Sequence, residues 1–125
     1  MENKRPKNLN LFTIRLPFPA MVSILHRISG VILFILMPLL TIALYFSVQS
    51  ESFFLHIYQF FYDSTLFKAF KLIMIWGIIH HLIAGTRHIL LDLHFGIDLI
   101  IARFTSKIVL LLSFLISFIV WVWVW

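Results

Sequence analysis

Between His80 and His88 the chain reads His80, His81, Leu82, Ile83, Ala84, Gly85, Thr86, Arg87, His88, which puts three imidazoles and a guanidinium at one end of an apolar segment. A charged residue in the middle of a membrane helix costs about 2.5–3.5 kcal/mol on insertion scales, so polar groups placed there face a cavity, a cofactor or another helix. An imidazole in such a place can make a satisfied polar contact, carry a proton, or ligate a metal or a haem iron. Geometry limits the last option. Two trans axial ligands to one iron lie about 4 Å apart, at about 2 Å per metal–nitrogen bond. Along a helix, His81 and His88 are about 10 Å apart, and His80 points about 100° away. No pair on this segment clamps one iron, so a second ligand comes from His26 or from another chain.

A second polar cluster, Ser23, His26, Arg27 and Ser29, opens an earlier apolar run. Ser23, Arg27 and Gly30 are separated by four and three residues and share a helix face, with His26 beside them. A quinone carbonyl needs hydrogen-bond donors at the membrane edge, and a serine hydroxyl with an arginine four residues on supplies them beside an apolar bay. Arg27 can equally pair with haem propionates, because a guanidinium fork matches a carboxylate. The plainer alternative is that Arg27 snorkels to lipid phosphate while Ser23 caps or packs. Gly77, His81, Gly85 and His88 form a similar stripe, whose glycines leave room either for a flat macrocycle or for a closely packed helix.

The elements that must position these groups are membrane helices. Of the 125 residues 62% are hydrophobic and 12% charged, the profile of an integral membrane protein. The chain is too short for a catalytic domain beside its spans, which places substrate chemistry on another polypeptide. With no cysteine it has no disulfide, iron–sulfur or thiolate–haem ligation of its own. The net charge of +5 flanks the hydrophobic runs, which fits positive-inside topology better than nucleic-acid binding.

Residues 1–19 read as a basic cytoplasmic tail with Lys4, Arg5, Lys7 and Arg15, lacking the apolar core of a signal peptide. The membrane domain, 20–125, contains spans predicted at about 20–48, 66–91 and 104–125. In the first, Ile28 to Val48 carries no charge over about 31 Å, and Pro38 is a candidate kink. The connection Ser50 to Ser64 is rich in aromatic residues and predicts a short amphipathic segment in the interface. The terminal tryptophans suit an aromatic belt, and the lysine and arginine distribution puts the N-terminus in the cytoplasm and the C-terminus outside. Both polar clusters then lie at the cytoplasmic side.

Two runs carry a resemblance. Arg5, Pro6, Lys7, Asn8, Leu9, Asn10, Leu11, then Ile14, Arg15, Leu16, Pro17, then Ser23, Ile24, Leu25, His26, Arg27, Ile28, Ser29, Gly30 resembles the first signature of the cytochrome b membrane-anchor subunit of succinate dehydrogenase, respiratory complex II. His81 to His88 with Leu91 and Asp92 is similar to that family's second signature, histidine, three apolar residues, glycine, any residue, arginine, histidine.

The resemblance implies an all-α integral membrane protein of three transmembrane helices, one half of a heterodimeric haem-binding anchor in the bacterial inner membrane. It implies His81 as an axial ligand of haem b, the other coming from a small hydrophobic anchor subunit. Ser23 and Arg27 match the ubiquinone-site pair, and His26 and Arg27 lie where the family contacts haem propionates or delivers protons. Arg87 and His88 match motif positions as possible supporting residues. The implied partners are the small anchor, the iron–sulfur subunit, the flavoprotein and the bilayer, and the implied activity belongs to the succinate:ubiquinone oxidoreductase complex of the citric acid cycle and respiratory chain. A fumarate reductase anchor and a haem-free docking subunit are the rival readings. A pore would need polar residues lining the whole membrane depth.

Overall fold

The computed structural model describes residues 16–124. The basic run from Lys4 to Arg15, which carries the first half of the N-terminal signature, lies outside the described residues. Four helices follow one another: α1 (Phe18–Ser47), α2 (Glu51–Asp63), α3 (Thr65–Asp92) and α4 (Leu99–Val124). Three of them, α1, α3 and α4, are long and apolar enough to cross a membrane.

The helix ends follow from local chemistry. Pro17 precedes α1 in an extended conformation, and Pro19 sits in the first turn, where a missing N–H costs nothing. The helix then runs unbroken through Pro38, with the Thr41 hydroxyl donating to the Met37 carbonyl at 2.8 Å. The aromatic connection is the helix α2, and none of its residues is buried. Ser50 caps its start by accepting from the Phe53 amide. Ser64 ends α2 and caps α3, accepting from the Phe67 amide.

At the far end of α3 the amides of His94 and Phe95 donate to the carbonyls of Leu91 and Leu90, each at 2.9 Å. His94 itself has φ of 66°. This is a Schellman cap with histidine in the left-handed position that glycine usually takes. Asp98 then starts α4, its Oδ1 accepting from the Ile100 amide at 2.8 Å. The helix therefore begins five residues before the apolar stretch predicted from about Phe104, because a capping carboxylate sets where a helix starts while hydropathy sets where a membrane does.

α3 is the centre of the bundle, packed between α1 and α4. On α4 the buried residues are Ser106, Val109, Ser113 and Ser117, a stripe of small side chains on one face. They meet His80, Ala84 and Arg87 of α3, an arrangement that lets two membrane helices approach closely. His80, fully buried, bonds through Nδ1 to the Ser113 hydroxyl at 3.0 Å and stacks on Trp76. Most large apolar residues on the outer faces are exposed, among them Phe34, Leu66 and Ile100, as expected where lipid or another helix covers them.

Arg87 is the polar staple of the α3–α4 seam. Its guanidinium donates to the Thr105 hydroxyl at 3.2 Å and the Ala102 carbonyl at 3.0 Å, and only 7% of the residue is exposed. Arg87→Leu is expected to weaken the seam by about 1–2 kcal/mol, the loss staying small because Thr105 and Ser106 also donate to the Ala102 carbonyl. Unfolding in mixed detergent micelles measures this, and an unchanged midpoint would assign Arg87 no part in holding the bundle.

Candidate functional site

α1 and α3 run antiparallel, so the start of one meets the end of the other and the two polar clusters come together. His26, Ser29 and Gly30 recur at three and four residues and turn toward α3, while His81, Gly85 and His88 recur at four and three and turn toward α1. The ring of His26 stacks on that of His81, centroids 4.2 Å apart and planes within 14°. The ring of His88 lies against His26 at 5.1 Å, tilted by 49°. His26 is the middle member of a cluster of three rings.

Glycine makes this closeness possible. A Cβ on Gly30 would lie 3.0 Å from His81 Cε1, and one on Gly85 would lie 3.1 Å from His26 Nε2. Each helix thus lays a histidine over a glycine of the other. Gly77 plays no such part: the residue is buried, but a Cβ there meets nothing within 4 Å. Gly30→Ala is expected to cost about 1–3 kcal/mol, because the ring it would push is anchored on its other side. Thermal unfolding of the purified chain in detergent checks this, and an unaltered transition would mean that His81 yields freely.

The anchoring of His81 is specific. Its Nδ1 lies 3.1 Å from the His26 carbonyl oxygen and 3.2 Å from the Ser29 hydroxyl. The Ser29 hydroxyl has spent its hydrogen, donating to that same carbonyl at 2.8 Å. Both neighbours of Nδ1 are therefore acceptors, and the proton between them belongs to the imidazole. His81 takes the Nδ1–H tautomer, and its Nε2 carries a free lone pair with no hydrogen bond among the described residues.

His26 is not placed to be a trans ligand opposite His81. Trans ligands point their nitrogens at an iron between them about 4 Å apart with a macrocycle across the gap, and face-to-face rings at 4.2 Å leave no space for it. Among the described residues no three His, Cys, Asp or Glu side chains converge on a metal-ion position. At the α1–α3 seam the imidazole held by hydrogen bonds across the two helices is that of His81, and its Nε2 is the oriented donor there.

Ser23 and Arg27 stand at the edge of this seam. Relative to His26 they are rotated by about 60° and 100° to the same side. Ser23 is half-buried, Arg27 is exposed, and neither forms a hydrogen bond among the described residues. Both are available to a ligand or a neighbouring helix. The face shared by Ser23, Arg27 and Gly30 therefore divides in the structure: Gly30 packs on His81 while Arg27 points away. His88, expected as a supporting residue, keeps its Nε2 buried without a hydrogen-bond partner. Arg87, expected beside it, faces α4 and joins none of the three rings.

Ser29 has a part here that its spacing in the sequence does not reveal. It sits three residues after His26 and is fully buried, and the signal was its pairing with Gly30 on the face that carries His26.

Residues 1–120 match the family model described as succinate dehydrogenase/fumarate reductase transmembrane subunit. The chain is 36% identical over 125 residues, the full length of both proteins, to the succinate dehydrogenase cytochrome b556 subunit of Coxiella burnetii. It is 28% identical over 120 residues to the cytochrome b556 subunit of Rickettsia felis, covering 96% of this chain and 93% of that one. The succinate dehydrogenase cytochrome b560 subunit of Reclinomonas americana is 30% identical over 126 residues, covering 98% of this chain and 88% of its own.

Proposed function

We propose, because this chain belongs to the succinate dehydrogenase/fumarate reductase transmembrane subunit family, that it is the haem b-carrying membrane anchor of a succinate:ubiquinone oxidoreductase and forms part of the quinone-reducing site. The membership itself places it in a bacterial membrane as the cytochrome b subunit that anchors succinate dehydrogenase. The names of the relatives favour the succinate-oxidising direction over fumarate reduction.

One observation carries the haem assignment. His81 is held through Nδ1 by two acceptors, which leaves the Nε2 lone pair oriented and unused, the donor state a haem iron takes from histidine. The donor set fits the group, with one ligand from this chain and the other from a second, small hydrophobic anchor subunit. When bound, the haem supplies a one-electron reservoir beside the quinone. His26, which stacks on the ligand, and Arg27, beside it on α1, are the residues that would hold the propionates.

Ser23 and Arg27 act on the quinone. Succinate is oxidised on the flavoprotein, electrons pass through the iron–sulfur subunit, and ubiquinone takes up two electrons and two protons at the edge of α1. The Ser23 hydroxyl and the Arg27 guanidinium donate to its carbonyl oxygens and stabilise the negative charge that grows there as electrons arrive. His26 or water brings the protons. The apolar face of α1 beside them, with Ile24 and Ile28 exposed, suits an isoprenoid tail.

The basic end of the bundle, with Arg27, Arg103 and Lys107, faces the cytoplasm, where the soluble subunits dock. Residues 1–19 are the cytoplasmic tail and 20–125 the membrane domain. A reduced-minus-oxidised visible spectrum of the tagged, detergent-extracted complex tests this reading, with succinate as reductant before dithionite. A b-type band with co-purifying flavoprotein, iron–sulfur and small anchor subunits is the expected result. Those partners without a band would leave a docking subunit, and the absence of both partners and band would overturn the assignment.

A further inference from the structure

We infer that Ser29 is a positioning residue for the haem ligand: its hydroxyl fixes the tautomer and ring plane of His81 and, through the Nδ1–H bond, sets the potential of the iron that His81 would hold. The inference rests on the reading of His81 as an axial ligand. The geometry is a closed triangle. The Ser29 hydroxyl donates to the His26 carbonyl at 2.8 Å, and Nδ1–H of His81 is shared between that carbonyl at 3.1 Å and the Ser29 oxygen at 3.2 Å. Ser29 is fully buried, so no water competes for the bond. Gly30, next in the chain, leaves the same ring its room, since a Cβ there would lie 3.0 Å from its Cε1.

The chemistry of the two acceptors gives the direction of the effect. A carboxylate on Nδ1–H draws the ligand toward imidazolate, whereas a carbonyl and a hydroxyl are neutral and do so weakly. Among the described residues no carboxylate bonds Nδ1; Asp92, eleven residues along α3, is about 16 Å away along the axis. Each oxygen that accepts from Nδ1–H still raises the basicity of Nε2 and favours the ferric over the ferrous iron. Removing the Ser29 oxygen halves the set of acceptors, so the ligand donates less and the midpoint potential rises.

The test is a potentiometric titration of the haem in the intact, purified complex, with electron paramagnetic resonance of the oxidised form. Ser29→Ala is expected to keep the bis-histidine haem while changing the ferric-to-ferrous stability ratio three- to tenfold, an upward shift of about 30–60 mV at 59 mV per tenfold for one electron. The ferric g-values should move with it as the ring plane loosens. Ser29→Cys keeps the side-chain shape, slightly enlarged, but accepts only weakly, and should lie between wild type and alanine. It decides the matter even if the alanine variant packs poorly.

A wild-type midpoint and wild-type g-values in either variant would overturn the role of Ser29 while leaving His81 as ligand. The His81→Ala complex, measured in parallel, separates the two ideas: a bis-histidine spectrum surviving there would remove the ligand assignment and the inference with it.

Discussion

Complex assembled with His81→Ala is expected to lose its b-type band, with haem content falling at least tenfold, while succinate oxidation by artificial dyes continues. The magnitude follows from the number of ligands. Altering groups that merely support a metal ligand costs 10–100-fold in metal affinity, and here one of two axial bonds disappears altogether. Neither of the other imidazoles on α3 steps in. His80 is fully buried on the other side of α3 and bonded to Ser113, and His88 sits about 10 Å farther along the axis against His26.

The substitution also opens the α1–α3 seam, because His81 is the residue that ties the His26 carbonyl and Ser29 to α3. Some loss of assembly therefore accompanies the loss of haem, and the ratio of haem to flavin in the complex that does assemble is the quantity to read. His81→Tyr distinguishes the contributions, since a ring fills the gap and a phenolate can bind iron as in catalase. Its spectrum should be altered rather than absent. A normal bis-histidine spectrum in both variants would move the ligand to another residue.

How much of this was legible in the chain depends on which force set each feature. The apolar runs announced three membrane helices because hydropathy over about 20 residues is a strong and additive signal. The aromatic segment after Ser50 announced itself as an amphipathic piece, and Ser50 and Ser64 are ordinary caps around it. The start of α4 was less visible, because Asp98 lies outside the apolar stretch and a cap acts over one turn only.

The site divides in the same way. Antiparallel order alone puts His26 near His81, so the meeting of the two clusters could be foreseen. Which face of each helix turns inward could not, because the first helix carries polar residues over more than 100° of arc. Ser23, Arg27 and Gly30 looked like one stripe, yet small Gly30 packs against an imidazole while charged Arg27 turns outward. The buried stripe instead includes Val22 and Ser29. Arg87 misleads for a related reason: adjacent to His88 in sequence, it is rotated about 100° from it and reaches across to α4.

The division also separates function from folding in α1, and that makes Ser23 and Arg27 the clean targets. Neither contributes a hydrogen bond to the bundle among the described residues, so both Ser23→Ala and Arg27→Leu should leave assembly and dye-linked succinate oxidation intact, and Ser23→Ala should leave the haem intact as well, whereas Arg27→Leu also removes a propionate partner. Quinone reduction should fall. A donor aimed at the oxygen on which charge develops contributes most when that charge is largest, and removing one such donor from an active site costs 10²–10³ in rate, about 2.7–4 kcal/mol. Arg27→Leu should reach about a hundredfold loss in kcat/KM for the quinone. Ser23→Ala should lose less, about tenfold, because a neutral hydroxyl bonds a developing anion more weakly than a guanidinium does. Arg27→Lys keeps the charge but not the planar fork, and should fall between wild type and leucine. A loss confined to KM would mean that the pair only binds the quinone head, and quinone kinetics unchanged in both single variants would place the site elsewhere on the complex. If both roles hold, the double variant should lose less than the product of the single losses, because two donors to one quinone act as a unit.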